Sequence, residues 1–394
     1  MRYVTSTSTG AKRGYLVFGQ PLLEAPEIEE VLASMRTAWL GTGPKAAEFE
    51  RRIAAYKGVP HAVALNSCTA GLHLSCLVLG LQPGDEVITT PMTFCATINA
   101  IVHAGATPVL ADVDPVTMNV DPEQVRRRIT RRTRALLPVH FAGRAAAMDE
   151  LMAIARQHDL RVIEDCAHAI ETEYRGQKVG TIGDLGVLSF YSTKNIVCGE
   201  GGVVLTKDAD LARRTKTLGL HGMSHDAWKR FSDDGYRQYD VEEIGFKYNM
   251  MDLQAAIGMH QILRVERYWQ RRLVIWDRYM RELADLPIGL PAPFAAEERH
   301  ALHLFTVQID RAVCGRDRDT VMRLMHEQKI GTGVHYRSIP NMTAYRERFG
   351  WRAEDYPAAA KIGENTLSLP LSPRLDDDDV SRVIAALRRA VGAS

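Results

Sequence analysis

Short apolar runs alternate with helical stretches between about residue 60 and residue 206, and this alternation limits the possible folds more than any other feature. The apolar runs are HAVAL, DEVITT, TPVLADV, RALLPVH, RVIEDC, GVLSFYS and GGVVLT. Strands that alternate with helices at this spacing form parallel βαβ units, and a parallel sheet is covered by helices on both faces. The pattern therefore predicts a doubly wound α/β sheet, in which ligands bind at the carboxyl ends of the strands.

The pattern changes in the last third of the chain. Residues 250–285 predict one long helix, and the segment beyond Pro287 predicts a smaller α+β unit that contains HLFTVQI and a last helix at about 378–391. Since 394 residues exceed the usual size of one hydrophobic core, we expect two domains. The first is a large domain over 1–255. The second, over 256–394, combines a linking helix with a small C-terminal domain.

Composition argues against several classes of partner. Lys plus Arg number 49 and Asp plus Glu number 48, so no excess of positive charge points to nucleic acid. The N-terminus has no apolar core after its charged residues, and no run of 18 apolar residues occurs, so we expect neither export nor a membrane span. The six cysteines show no disulfide or metal-binding spacing, which favours reduced thiols, no bound metal and a cytoplasmic location.

Two predicted strands end in residues that carry chemistry. RVIEDC contains Asp165, and His168 follows three residues later, while VLSFYS runs out to Lys194 and then to the glycines of GEGG. A carboxylate at a strand end can simply cap the next helix, and a single lysine is most often a surface residue. Here the glycines let backbone approach a ligand closely beside Lys194, which favours a binding role.

Two turns from strand to helix add further candidates. Residues 66–71, NSCTAG, are small or carry polar side chains, and a helix N-terminus of this kind either binds phosphate or merely caps its helix. Phe94 follows another strand end, where an aromatic ring either packs in the core or covers a planar ligand. Neither turn is specific by itself.

Taken together, these candidates meet the needs of one cofactor, pyridoxal 5′-phosphate (PLP). A lysine forms the imine with its aldehyde, a carboxylate keeps the pyridine nitrogen protonated, a helix N-terminus binds the phosphate and an aromatic ring covers the pyridine. The protonated ring accepts the electrons released when a Cα–H bond breaks, and the lysine, once displaced by the amino donor, moves the proton. The combination predicts a PLP-dependent aminotransferase.

The same residues lie in strings that resemble one family over nearly the whole chain, the DegT/DnrJ/EryC1/StrS sugar aminotransferases. The matching strings are TAWLGTGPKAAEFE, NSCTAGLHL, PMTFCAT, VIEDCAHAIETEYRGQKVGTIGDLGVLSFYSTKN, CGEGG, LHGMSHDAWKR, GFKYNMMDLQAAIG, GTGVHYRSIP and LSLPLSP. The resemblance implies the PLP fold-type I architecture of aspartate aminotransferase, with a mostly parallel central sheet, helices on both faces and a smaller C-terminal α+β domain.

The resemblance also implies a role for each matching residue. Lys194 forms the Schiff base, Asp165 meets the pyridine nitrogen, and His168 lies by the phenolic oxygen; these three would be the catalytic residues. Phe94 stacks on the ring. The phosphate is received by Cys68, Thr69, Ala70 and Ser189. Asn249 reaches the phosphate of the neighbouring subunit's cofactor, so the active site needs a homodimer. The substrate-site residues are Tyr191, Arg237, Lys247, His335 and Tyr336.

Two positions depart from many family members, which have Gln in place of His168 and Gly in place of Cys68. Neither change removes PLP binding, because histidine still bonds the phenolic oxygen and Cys68 contributes its backbone N–H. His168, together with HGMSHDAWKR and CGEGG, resembles members that aminate C4. The resemblance thus implies transfer of an amino group from L-glutamate to a dTDP- or UDP-linked 4-keto sugar, with amination of a C3-keto sugar as the alternative.

Three other functions compete with this one. Sugar dehydratases among the relatives have histidine in place of the Schiff-base lysine, whereas Lys194 is present here. A regulatory protein built on the PLP fold would bind DNA through a helix-turn-helix or a basic stripe, and the sequence shows neither. An amino-acid aminotransferase needs an arginine fork for the α-carboxylates, which the sequence does not identify.

Overall fold

The computed structural model describes residues 14–223, 240–295 and 297–393. The strands of the first half are β1 His61–Leu65, β2 Glu86–Thr89, β3 Thr107–Leu110, β4 Thr133–Leu136, β5 Arg161–Cys166, β6 Glu173–Tyr174, β7 Gln177–Lys178, β8 Leu185–Ser189 and β9 Gly202–Thr206. Seven of them form one sheet in the order β1-β9-β8-β5-β4-β2-β3. Most neighbouring pairs are parallel, which confirms the mostly parallel sheet.

β9 departs from the parallel pattern, because it runs antiparallel to both β1 and β8. The link between β8 and β9, residues 190–201, is described throughout and contains turns but no helix. A link without a crossover helix returns the chain antiparallel to the strand it leaves. The sheet is therefore mostly parallel, as expected, and β9 is its antiparallel strand.

Helices cover both faces of the sheet, as the alternation predicts. Those in the first two thirds of the chain are α1 Ala25–Thr37, α2 Pro44–Lys57, α3 Cys68–Val78, α4 Cys95–His103, α5 Pro122–Arg128, α6 Met148–Gln157 and α7 Ala209–Gly219, with a 3₁₀ turn at Phe141–Gly143. On one face α3, α4 and α7 bury residues such as Leu72 and Ala100 against Val187. On the other face of the sheet, side chains pack against Phe49 of α2 and Leu151 of α6.

The single helix predicted over 250–285 is interrupted. α8 Asp252–Gln261 is followed by a 3₁₀ turn, Ile262–Arg264, before α9 Val265–Glu282 begins. The turn coincides with bonds to α1: Gln261 donates to Glu27 over 2.8 Å, and Arg264 pairs with the same carboxylate at 2.8 Å. Tertiary contacts that the sequence pattern does not show have tightened the backbone here.

The C-terminal part of the chain forms a smaller α+β unit. Its elements are β10 Glu298–Arg299, β11 Phe305–Gln308, α10 Arg311–Cys314, α11 Arg318–Glu327, α12 Thr343–Phe349, α13 Pro357–Asn365, β12 Thr366–Leu369 and α14 Asp377–Ala390, with 3₁₀ turns at Ile339–Asn341 and Ala353–Asp355. β11 pairs antiparallel with β12, and β10 pairs with β6. Trp276, Phe305 and Leu387 belong to the buried core of this unit, which Leu16 from the N-terminal segment joins.

All six cysteines are free thiols. Across the described ranges, every helix is too short or too polar to cross a membrane.

Candidate active site

A cavity of about 460 Å³ lies at the carboxyl ends of β5 and β8, the sheet edge at which the sequence predicts the ligand site. Most of the predicted site residues line it: Cys68, Thr69, Phe94, Asp165, His168, Ser189, Tyr191, Lys194, His335 and Tyr336. They come from the strand ends of the large sheet and from the smaller C-terminal unit. The fold thus brings together residues that are far apart in the sequence.

Two hydrogen bonds hold Asp165 in a fixed position on the lining of the cavity. It is buried, its Oδ2 accepts a 2.8 Å hydrogen bond from the Thr97 hydroxyl, and its Oδ1 accepts one of 3.1 Å from the Ala167 N–H. Burial raises the pKa of this carboxyl, while the two donors and the Lys194 charge oppose the rise. Each carboxylate oxygen has a further lone pair, so Asp165 can accept another hydrogen bond from a ligand.

Lys194 lies in the link between β8 and β9, where its backbone N–H donates to the Tyr191 carbonyl over 2.9 Å. Burial lowers the pKa of its amine to about 8, against the attraction of Cys68 and Asp165. An amine with this pKa is partly neutral near neutral pH, and only the neutral amine can attack an aldehyde. Lys194 is therefore suited to covalent attachment of a carbonyl compound.

The turn from β1 into α3 offers anion donors beside Lys194. Ser67 caps the helix by accepting a 3.1 Å hydrogen bond from the Ala70 N–H. The N–H groups of Cys68 and Thr69 open the helix, where no preceding turn supplies acceptors and the helix dipole favours an anion. Gly202 at the start of β9 runs directly against this turn, and a Cβ there would lie only 2.5 Å from the Cys68 nitrogen.

His168 and Tyr336 form a hydrogen-bonded pair on the cavity wall. The Tyr336 hydroxyl lies 2.9 Å from His168 Nε2, and the Ala142 N–H donates to His168 Nδ1 over 3.2 Å. Burial holds the pKa of His168 well below its usual value, so the ring is neutral. Phe94 lies near the same tyrosine, with 6.0 Å between ring centroids, and is half exposed.

His335 is the second histidine predicted at the site. Its Nδ1 lies 2.8 Å from the Ser368 hydroxyl, and its ring packs against Phe18 at 5.4 Å. Burial and the Lys194 charge lower the pKa of His335 to about 4. The imidazole is therefore neutral at physiological pH and contributes polarity without charge.

Three predicted residues do not line this cavity, and a fourth lies outside the described residues. Ala70 is buried and uses its N–H in the helix cap. Lys247 and Asn249 bond each other at 2.6 Å, and Asn249 also donates to Thr42, away from the cavity of their own chain. Arg237 falls in the segment that the structure does not describe.

Two residues of the site, Thr97 and His303, were not predicted from the sequence. Thr97 follows Thr93 by one helical turn, and the two hydroxyls lie 2.7 Å apart, so the spacing of the two threonines was a usable signal. His303 also lines the cavity, but it stands at the start of an apolar strand pattern, HLFTVQI, where nothing distinguishes it from a core residue.

These residues fit PLP. A half-buried lysine with a lowered pKa lines the cavity together with an aspartate that accepts two hydrogen bonds and with a helix N-terminus, against which the backbone of Gly202 packs closely. The set offers a covalent anchor, a carboxylate for a ring nitrogen and donors for a phosphate.

Comparison with known proteins identifies the same chemistry. Residues 21–388 match the model of the DegT/DnrJ/EryC1/StrS aminotransferase family. Spore coat polysaccharide biosynthesis protein SpsC of Bacillus subtilis (strain 168) is 45% identical over 379 residues, which cover 96% of this chain and 97% of that protein.

Solved structures give the same result. The putative sugar aminotransferase Spr1654 from Streptococcus pneumoniae, in its PMP form, superposes with a TM-score of 0.89 at 32% identity, covering 95% of this chain and 99% of that one. Helicobacter pylori PseC, an aminotransferase involved in the biosynthesis of pseudoaminic acid, superposes with a TM-score of 0.88 at 25% identity, covering 96% and 99%. Spr1654 has also been solved in a PLP form.

Proposed function

Because this chain belongs to the DegT/DnrJ/EryC1/StrS aminotransferase family, whose members use PLP, we propose that it transfers an amino group from L-glutamate to C4 of a nucleotide-linked keto sugar. One observation carries the aminotransferase chemistry: the cavity joins half-buried Lys194, buried Asp165 and the N-terminus of α3. A sugar acceptor is supported by the names of two similar proteins, a polysaccharide biosynthesis protein and a putative sugar aminotransferase.

Within this proposal, Lys194 would hold PLP covalently, Asp165 would face its ring nitrogen, and His168 would lie near its phenolic oxygen. Cys68 and Thr69 would bind the phosphate through backbone N–H groups, with Ser189 adding a hydroxyl. When bound, PLP supplies an electron sink for the carbon that carries the amino group. Asp165 keeps a proton on the ring nitrogen, and the Lys194 amine carries protons between carbon atoms.

Regiochemistry follows from how the nucleotide is anchored. A diphosphate is best held by charge-assisted or phenolic donors, and a displacement of about 1 Å at the reacting carbon changes the rate strongly. Tyr336 is such a donor in the cavity, and Tyr191 and His335 line the same wall. We assign the remaining anchoring charges to Arg237 and to Lys247, which would serve the neighbouring subunit's site as Asn249 does. The motifs shared with C4-aminating relatives support C4 over C3.

The proposed assembly is a cytoplasmic homodimer. Asn249 lies outside the cavity of its own chain, which suits a residue that serves a neighbour's phosphate. Apolar side chains near it in sequence, or near its partner Thr42, are exposed in the single chain, among them Leu40, Ile244 and Met251. Exposed apolar side chains of this kind would be covered in a protein interface. Free thiols at all six cysteines suit a reducing compartment.

An amino-acid aminotransferase would bind the α-carboxylate of both substrates through arginine. Among the described residues that line the cavity there is no arginine, and Lys194 is the only lysine. The described lining therefore lacks the arginine fork that an enzyme with two amino-acid substrates would use.

The test is incubation of the purified enzyme and L-glutamate with a dTDP- or UDP-linked 4-keto sugar, beside the 3-keto isomer. NMR then assigns the carbon that carries the new amine. Amination at C4, absent in Lys194→Ala, is the expected result. Amination at C3 alone, or turnover of free keto acids with no nucleotide sugar accepted, would overturn the substrate assignment. Borohydride reduction should leave the cofactor on the Lys194 peptide, and an adduct on another lysine would overturn the site.

A further inference from the structure

A second histidine packs against His168 on the cavity wall. The rings of His303 and His168 have centroids 4.5 Å apart and planes inclined by 34°. Tyr336 continues the row, with its ring 5.8 Å from that of His168 at an angle of 21°. All three line the cavity, and His168 is 5% exposed. His303 and Tyr336 therefore each cover part of the His168 ring.

The hydrogen bonds of His168 define where its proton lies. The Ala142 N–H points at Nδ1, so Nδ1 carries no proton and the neutral ring is protonated at Nε2. Nε2–H then donates to the Tyr336 oxygen over 2.9 Å. The tyrosine's own proton is left to be donated to a ligand in the cavity. A second proton on His168 would face the Ala142 N–H and break this arrangement.

His303 is anchored by a separate set of bonds. Its Nδ1 lies 2.9 Å from Asn195 Oδ1. The Asn195 amide nitrogen donates to buried Glu171 over 2.8 Å and to the Ala301 carbonyl over 2.8 Å, which fixes the direction of the amide. The Asn195 oxygen can therefore only accept, and His303 Nδ1 carries the proton. Turning the His303 ring would leave a buried acceptor without a partner, which is unfavourable.

The backbone around His303 is held in an unfavourable conformation. The His303 N–H donates over 3.2 Å to the carbonyl of Ala142, the residue whose N–H meets His168. Ala142 has φ 56° and Leu302 has φ 53°, and both are non-glycine residues in the left-handed region. Such conformations are unfavourable, persist only when their surroundings hold them, and cluster at functional sites.

We infer that His303 is a positioning residue: its ring, anchored by Asn195, excludes water from His168, so that His168 stays neutral and Tyr336 keeps its proton for the ligand. The inference rests on the proposed function, because it takes this cavity to be the cofactor and substrate site.

The electrostatics of the cavity agree with this role. Burial is the main cause of the low pKa of His168, and the titratable neighbours Lys194 and His335 lower it further. Burial also holds the pKa of His303 well below its usual value, with His168, Lys194 and Arg272 adding to the effect. If the ring of His303 is removed, water reaches His168, and its pKa moves up toward the ordinary value of about 6.5.

Three variants separate the ring from its hydrogen bond. His303→Ala removes both, His303→Phe keeps an aromatic ring, and His303→Asn keeps a donor for Asn195 without the ring. The matched control is His73→Ala: His73 is also buried, burial lowers its pKa, and its Nδ1 lies 3.4 Å from the Tyr248 hydroxyl, but it does not line the cavity. The readouts are the visible absorption of bound PLP and kcat/KM, each followed from pH 5 to pH 9.

For His303→Ala we expect a new titration near pH 6–7 in both readouts. Relative to wild type, kcat/KM at pH 5.5 should fall about tenfold below its value at pH 8, since about nine tenths of a group with a pKa near 6.5 is then protonated. His303→Phe should restore the wild-type profile, and His303→Asn should not. His73→Ala should follow wild type at every pH.

Other outcomes overturn the inference. A wild-type profile in His303→Ala would show that the ring does not protect His168. Rescue by Asn but not by Phe would assign the effect to the bond with Asn195 instead. Borohydride trapping on each variant keeps this test separate from the proposed function: an adduct on Lys194 leaves the cofactor site standing whatever the pH profile shows.

Discussion

Thr97 donates a 2.8 Å hydrogen bond to Asp165 Oδ2, and because its only hydroxyl proton is used there, the 2.7 Å contact with Thr93 must be a bond that Thr97 accepts. The two threonines therefore hold one oxygen of the carboxylate in a set direction. Asp165 lies on β5, whereas Thr97 lies on α4, so this bond joins two elements at the site.

Replacing Thr97 with valine should weaken catalysis with little effect on folding. The change keeps the shape and removes the donor, so the pKa of Asp165, already raised by burial, should rise further. A hydrogen bond to a charged group contributes about 1.5 kcal/mol or more, which corresponds to a loss of roughly tenfold or more in kcat. Thr97→Ser should retain most of the activity, and a fully active valine variant would contradict the role of this bond.

The lowered pKa of Lys194 predicts how the enzyme takes up PLP. Its amine is protonated below about pH 8 and neutral above, so the rate of covalent PLP uptake by cofactor-free enzyme should rise with pH and level off above about 8. Stopped-flow absorbance measures this rate. Lys194→Ala should show no such step, and a midpoint near the ordinary lysine pKa of about 10.4 would contradict the shift.

Gly202→Ala adds only a methyl group, but it should weaken PLP binding strongly. The added methyl group would overlap the Ser67 carbonyl and the Cys68 nitrogen, and this backbone cannot move without displacing the proposed phosphate donors. We expect the dissociation constant for PLP, measured by equilibrium dialysis, to rise at least tenfold. Gly14→Ala is the control, because a Cβ there meets no atom within 4 Å. Equal affinities in the two variants would show that the turn tolerates the contact.

Mixing two inactive variants should restore activity if the sites are shared. In a heterodimer of Lys194→Ala and Asn249→Ala, one of the two sites collects both intact residues. Random exchange makes half of the dimers mixed, so about a quarter of wild-type activity is expected for a twofold-symmetric assembly. The measurement is turnover after refolding the mixture, with exchange checked by native mass spectrometry. No recovery despite exchange would place Asn249 outside the partner's site.

Much of the large sheet follows from local pattern. Arg161–Cys166 is the strand expected for RVIEDC, because a short apolar run rich in β-branched residues between helical stretches fits a buried strand and little else. Because ligands bind at the carboxyl ends of such strands, the sequence predicts that Asp165 and Lys194 lie at this sheet edge, and both line the cavity. The C-terminal acidic run, which begins with Asp376, caps the last helix by accepting the Asp379 N–H over 2.8 Å.

Features that depend on contacts between distant segments were not predictable. The antiparallel direction of β9 depends on a link that contains no helix, and the break after α8 depends on Glu27, which is 234 positions from Gln261. His303 was not predicted for the same reason, since its partner Asn195 is 108 positions away. Local periodicity carries no information about such pairings.

The position of β9 has a consequence for how the protein is made. β1 is the edge strand and pairs with β9, and the turn after β1 rests on Gly202. At a synthesis rate of about 5–20 residues per second, that turn leaves the ribosome roughly 10 s before its supporting strand does. A nascent chain arrested before Thr206 should therefore bind no PLP, whereas longer chains should bind PLP once β9 has paired with β1. The onset of PLP binding would then mark the moment at which β9 has joined the large sheet.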